Sequence, residues 1–160
     1  MLKSITKILS VSLFLVFIFQ SCKNDDQLRI PDVPVRYSID FRLGDPEGFQ
    51  YTSYKALSIT QPIKATDRIG YGGLLLINIP LGGSGVSPDY AAYDLCCPYE
   101  ADPRIIVTPG KPKFNQARCE VCGSVYDIGN KVGNCVEGPS KWSLKRYKAG
   151  LYGDILYIPR

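Results

Sequence analysis

The sequence predicts an all-β domain assembled from short strands. Its 15 glycines and 12 prolines, spread over 160 residues, divide the chain into brief apolar or alternating runs. Those runs are rich in β-branched and aromatic residues, which favour strands. Beyond the first 21 residues, no window keeps an apolar helical period over three turns.

The first strand candidate spans residues 35–41, where apolar and polar side chains alternate until Gly44 and Pro46 end the pattern. This alternation is typical of a half-buried strand. The later candidates are residues 57–59, 74–79, 89–95, 105–107, 125–128, 142–147 and 155–158. Turn signals separate them, among them Gly72-Gly73, Pro109-Gly110 and Gly153-Asp154.

The N-terminus has the features of a bacterial lipoprotein signal peptide. Lys3 and Lys7 precede an apolar run over residues 8–19, which is shorter than the roughly 20 residues of a membrane span. The following Ser21-Cys22 resembles a lipobox, in which Cys22 is acylated and becomes the mature N-terminus. The alternative is an ordinary secretion signal with an incidental cysteine. The first interpretation predicts a lipid-membrane anchor, since each buried methylene contributes about 0.8 kcal/mol.

The residues after Cys22 indicate where the protein resides. The polar and acidic Lys23-Asn24-Asp25-Asp26 resembles the export signal of surface lipoproteins in Bacteroidetes-type bacteria. This resemblance implies the cell envelope, at the outer membrane or the cell surface. We therefore divide the chain into a signal peptide (1–21), a polar tether containing two prolines (22–34) and one β domain (35–160).

Net charge argues against a nucleic-acid partner. The formal charge is +4, and loss of the two signal-peptide lysines lowers it to +2. Charged residues are scattered without a basic block, so the domain lacks the electrostatic pattern of nucleic-acid binders.

Two cysteine segments carry most of the functional information. Cys96-Cys97-Pro98-Tyr99 and Cys119-Glu120-Val121-Cys122-Gly123-Ser124 resemble the two ligand loops of a Rieske iron–sulfur domain, which read C-P-H and C-x-x-H-G-S. Residues 136–140 resemble the proline-containing third loop of that family, and residues 143–147 and 154–158 resemble its closing hairpin. The resemblance implies a Rieske-like antiparallel β-sandwich with both cysteine loops at one end.

The chain departs from the Rieske pattern at both histidines, because it contains no histidine at all. In the resemblance, Cys97 and Cys119 occupy the ligand-cysteine positions, whereas Tyr99 and Cys122 occupy the histidine positions. Two imidazoles on one iron give the Rieske centre its high potential. Tyrosine, with a pKa near 10, is a poor substitute ligand. The sequence therefore excludes a normal Rieske centre.

Structural disulfides are the first interpretation of the remaining cysteines. An exported protein is in an oxidising compartment, where disulfides persist. The resemblance brings Cys96 or Cys97 near Cys119 or Cys122, and Cys135 completes the five candidates. The protein is then a non-catalytic structural or binding module of the envelope.

A metal or cluster site is the second interpretation. Cys97, Cys119 and Cys122, with Cys96 or Cys135, offer sulfur ligands for zinc or a [2Fe-2S] cluster in an electron carrier of ferredoxin type. Against this, adjacent cysteines in an extended segment point to opposite sides.

The third interpretation, thiol–disulfide catalysis at the C-x-x-C, is disfavoured because a turn and strand follow it rather than a helix. Histidine-dependent hydrolytic dyads are excluded.

Overall fold

A computed structural model describes residues 29–80 and 89–159 of the chain. Within these ranges the protein forms twelve β-strands, one short 3₁₀ turn and no α-helix, which confirms the predicted all-β class. No helix in the described ranges has the length and apolarity that crossing a membrane requires. The predicted signal peptide (1–21), Cys22 and the first part of the tether lie outside the described residues.

The twelve strands form three antiparallel sheets of four strands each. The strands are β1 (Val35–Asp40), β2 (Ala56–Ile59), β3 (Arg68–Ile69), β4 (Leu74–Ile79), β5 (Asp89–Asp94), β6 (Val107–Pro109), β7 (Gln116–Cys119), β8 (Val125–Asp127), β9 (Cys135–Glu137), β10 (Arg146–Tyr147), β11 (Gly150–Tyr152) and β12 (Ile155–Ile158). The sheet orders are β11-β12-β1-β3, β10-β5-β4-β2 and β6-β7-β8-β9.

The sheet containing β4 and β5 packs between the other two. Every residue of β4 is buried, because successive side chains of a strand point to opposite faces and both faces are covered. Leu74 and Leu76 pack in one core with β1 and β12. Leu75 and Ile77 pack in a second core with β6, β7 and β8. The second core includes Cys97 and Cys119, so the candidate site is continuous with the interior.

The end of the chain differs from the predicted closing hairpin. Residues 143–147 and 154–158 do not pair with each other, since β10 pairs with β5 and β12 pairs with β11 and β1. The hairpin is therefore β11–β12, formed across the turn at Gly153-Asp154. Four strands that the sequence pattern did not predict, β3, β7, β9 and β11, have two to four residues each. Such lengths are too short for an apolar period to stand out.

Candidate functional site

The first cysteine loop runs from the end of β5 to the start of β6. Cys97 N–H donates to Ile105 O at 2.9 Å, and Ala101 N–H donates to Cys97 O at 2.9 Å. Cys96 forms an antiparallel bridge with Ile106. These bonds close the loop on itself, so the backbone of Cys97 has a defined position.

The second cysteine loop is the tight turn between β7 and β8. Cys119 N–H donates to Ser124 O and Gly123 N–H donates to Cys119 O, both at 2.9 Å. Gly123 has a φ of +77°, a left-handed conformation that glycine adopts without steric cost. This turn folds the C-x-x-C segment back so that its two sulfurs lie close together.

Strand pairing brings the two loops to the same end of one sheet. Strand β6, which follows the first loop, pairs with β7 so that Val107 is opposite Cys119. The sulfurs of Cys97, Cys119 and Cys122 all lie within 4.8 Å of one another. We call these three residues the three-sulfur cluster. Within this cluster, Cys97 Sγ and Cys122 Sγ are 3.7 Å apart. The pair is unbonded, since a disulfide has an S–S length of about 2.05 Å.

Polar groups surround the three-sulfur cluster. Tyr126 Oη lies 3.4 Å from Cys97 Sγ, and Ser124 Oγ lies 3.2 Å from Cys122 Sγ. Ser124 Oγ also accepts a hydrogen bond from Ser140 N–H at 3.1 Å. Tyr126 lies in the strand predicted over residues 125–128. The structure buries it completely and also places its hydroxyl at the cluster.

The sulfurs of the second loop differ in acidity. Burial raises the pKa of the Cys119 thiol to about 12, although the N–H groups of Cys122 and Val121 donate to its sulfur. Burial also opposes ionisation of Cys122, but hydrogen bonds from Ser124 and the neighbouring thiols lower its pKa below the ordinary value. Cys122 is also partly exposed. Because the thiolate is the reactive form, Cys122 is the more reactive of these two sulfurs.

The other two candidate cysteines are not part of the three-sulfur cluster. Cys96 Sγ lies 3.3 Å from Asp102 O, and burial raises its pKa to about 12. It therefore faces a different environment from Cys97, as expected for neighbours in an extended segment. Cys135 Sγ lies 3.1 Å from Glu137 O on β9. Tyr99, at one histidine position, lies in the turn after Pro98 with 39% of its surface exposed.

The donor set does not fit the iron–sulfur cluster that the resemblance implies. A Rieske centre needs two imidazoles, which the chain lacks. An all-thiolate [2Fe-2S] cluster needs four cysteines, and the described residues bring three sulfurs together. A comparison of the chain with known protein families, curated proteins and solved structures found no match. The chemistry of the site therefore depends on these three sulfurs and their surroundings.

A buried carboxylate that the sequence reasoning missed positions the first cysteine loop. Asp94 is completely buried and accepts hydrogen bonds from Cys96 N–H at 2.8 Å and Tyr147 Oη at 2.7 Å. It also accepts from Tyr71 N–H at 2.7 Å and Gly72 N–H at 2.9 Å. Burial, then the charge of Asp94, raises the pKa of Tyr147 and keeps it a donor. An aspartate two residues before a loop backbone N–H is a known turn signal.

Two glycines allow close backbone contact around the loops. A Cβ at Gly72 would lie 2.7 Å from the backbone nitrogen of Cys96. A Cβ at Gly138, which has a φ of +100°, would lie 2.6 Å from Ser124 Cα. Both distances are shorter than real Cβ contacts, so only glycine fits. Gly138 belongs to the predicted third loop, which therefore packs directly on the second cysteine loop.

Proposed function

We propose that this protein is a lipid-anchored, non-catalytic module of the bacterial envelope with a degenerate Rieske-like domain. In that domain a disulfide between Cys97 and Cys122 joins the two cysteine loops. The observation that supports this most directly is the 3.7 Å separation of the two sulfurs on different loops. Acylated Cys22 attaches the domain to the membrane, at the outer membrane or cell surface.

The neighbouring groups favour Cys97 and Cys122 as the linked pair. Their sulfurs must approach by about 1.7 Å to reach a disulfide length. Cys122 is partly exposed and has the lowered pKa, so its thiolate attacks the disulfide of an external oxidant. Cys97 then displaces the oxidant from the mixed disulfide. The two protein thiols lose two electrons and two protons, and the oxidant becomes two thiols.

The cross-link has a calculable effect on stability. In the chain-entropy model, closing the segment from residue 97 to residue 122 contributes about 3.5 kcal/mol. It joins the same two loops that a shared cluster joins in Rieske proteins. Residues 136–140, which resemble the third Rieske loop, pack on Ser124 through Gly138. This contact also supports a Rieske-like arrangement of the loops.

A thiol count on the full-length protein, purified from the envelope, tests this proposal. Labelling of the denatured protein without reductant is expected at Cys96, Cys119 and Cys135, and at all five cysteines after reduction. Cys135→Ser is the matched control, because it removes one labelled thiol and leaves the reduction-dependent pair. Equal labelling of Cys97 and Cys122 before and after reduction would contradict the cross-link.

A zinc protein with thiolate ligands is the second candidate function. The observation that favours it is the third sulfur, from Cys119, which a single disulfide does not use. The same purified sample separates the two functions. One equivalent of zinc without the linked pair supports the second candidate, whereas metal-free protein with the linked pair supports the first.

A further inference from the structure

The cross-link leaves one sulfur of the cluster without a role. Cys119 is completely buried, and its sulfur lies within 4.8 Å of both other sulfurs of the cluster. The tight turn between β7 and β8 holds this third thiol beside Cys122, next to the two sulfurs that the cross-link uses.

The separation of Cys97 Sγ and Cys122 Sγ matches that of two sulfur ligands on one metal ion. A zinc–sulfur bond is about 2.3 Å, so two sulfurs of a tetrahedral site are about 3.8 Å apart and those of a planar trigonal site about 4.0 Å apart. The measured separation of Cys97 Sγ and Cys122 Sγ is 3.7 Å. Thiolates select Zn²⁺ and Cu⁺ among biological cations. Cys119 Sγ lies within 4.8 Å of both other sulfurs, so each of its two separations needs to shorten by at most about 1 Å to bind either ion.

We propose that, when its thiols are reduced, the three-sulfur cluster binds one thiophilic d¹⁰ cation, Zn²⁺ or Cu⁺, through Cys97, Cys119 and Cys122. Cys96 and Cys135 take no part, since their sulfurs face Asp102 O and Glu137 O. The ion joins the same two loops as the disulfide. Because both use the sulfurs of Cys97 and Cys122, the bound ion and the disulfide exclude each other. This exclusion rests on the proposed cross-link, whereas the metal site does not.

Conversion of the metal-bound form to the disulfide form requires a two-electron oxidant. With glutathione disulfide as oxidant, the thiolates of Cys97 and Cys122 give up two electrons and form one S–S bond. Glutathione disulfide accepts those electrons and becomes two glutathione thiolates. The cation loses two of its three ligands and is released to solvent, while Cys119 remains a single thiol or thiolate.

Competition with chromophoric chelators tests the proposal on the reduced, full-length protein, purified in detergent without a histidine tag. One experiment uses Zn²⁺ alone, and a second, under anaerobic conditions, uses Cu⁺ alone. The expected result is one equivalent of at least one ion. We expect Cys119→Ala to weaken the affinity for the bound ion by at least about 100-fold. Loss of a residue that only hydrogen-bonds to a metal ligand typically weakens affinity less than this. Cys135→Ala, the same change outside the cluster, is expected to bind like wild type.

Each outcome bears on the proposal. Binding of neither ion at one equivalent, or an equal loss in Cys119→Ala and Cys135→Ala, overturns the metal site. Cys122→Ser, at a partly exposed position, supplies a second ligand variant if Cys119→Ala fails to fold, and it must also weaken binding. Undiminished binding after oxidation overturns the exclusion. The cross-link is judged separately, because Cys119→Ala retains Cys97 and Cys122 and is expected to form their disulfide.

Discussion

Tyr147→Phe isolates the contribution of one hydrogen bond to the buried carboxylate beneath the first cysteine loop. The substitution keeps the ring and deletes only the hydroxyl that donates to Asp94 Oδ2 at 2.7 Å. Asp94 has no solvent-exposed surface, so water cannot replace the lost donor without rearrangement. Tyr71 N–H then remains as the donor to Oδ2.

The expected loss follows from the charge and burial of the acceptor. Hydrogen bonds to charged groups contribute about 1.5–3 kcal/mol, so we expect the free energy of unfolding to fall by about 2 kcal/mol. With a urea m-value of about 2 kcal/mol per molar, the midpoint of unfolding falls by about 1 M. The measurement is equilibrium unfolding in urea under reducing conditions, which separates this effect from any disulfide.

Tyr152→Phe is the matched control, because Tyr152 is 71% exposed and exposed substitutions usually change stability by less than about 0.5 kcal/mol. Equal midpoints for Tyr147→Phe and wild type would refute the argument that the Asp94 network stabilises the loop. A change in m-value without a change in midpoint would also count against it, since the variant would then differ in unfolded surface rather than in one bond.

Three further predictions concern the loops and the anchor. Gly138→Ala is expected to lower the urea midpoint by more than Gly110→Ala, because both have positive φ but only Gly138 lies against Ser124, and equal losses would contradict this. Cys122→Ala is expected to destabilise the oxidised protein by about 3.5 kcal/mol more than the reduced protein, and equal effects in both would contradict the cross-link. Metabolic labelling with a radioactive fatty acid is expected to label the wild type and not Cys22→Ser, and equal labelling of the two would contradict acylation at Cys22.

The sequence predicted the all-β class because its short runs, glycines and prolines are local signals that the sheets require. It also singled out the three cysteines that meet, since the two cysteine motifs place Cys97, Cys119 and Cys122 on two loops. For disulfide pairing, however, it did not distinguish these three cysteines from Cys96 and Cys135. Which sulfur enters the cluster depends on the direction of each side chain, and that direction is set by strand pairing and loop hydrogen bonds.

Other features depend on contacts between distant parts of the chain. Tyr147 reaches Asp94 across 53 positions of sequence, and no local pattern links them. The position of β10 beside β5, rather than beside β12, likewise depends on which sheet edge is available. A short segment such as β10 contains too little apolar patterning to specify its partner. Tertiary packing therefore decides both features.

Non-reducing tryptic mapping of the protein taken directly from the envelope tests the central claim most directly. Cleavage at lysine and arginine places Cys97 in the peptide 69–104 and Cys122 in the peptide 119–131. The account predicts that these two peptides are joined, with fragmentation locating the bond at Cys97 and Cys122. A disulfide within 119–131, or a link from either peptide to Cys135, would contradict it.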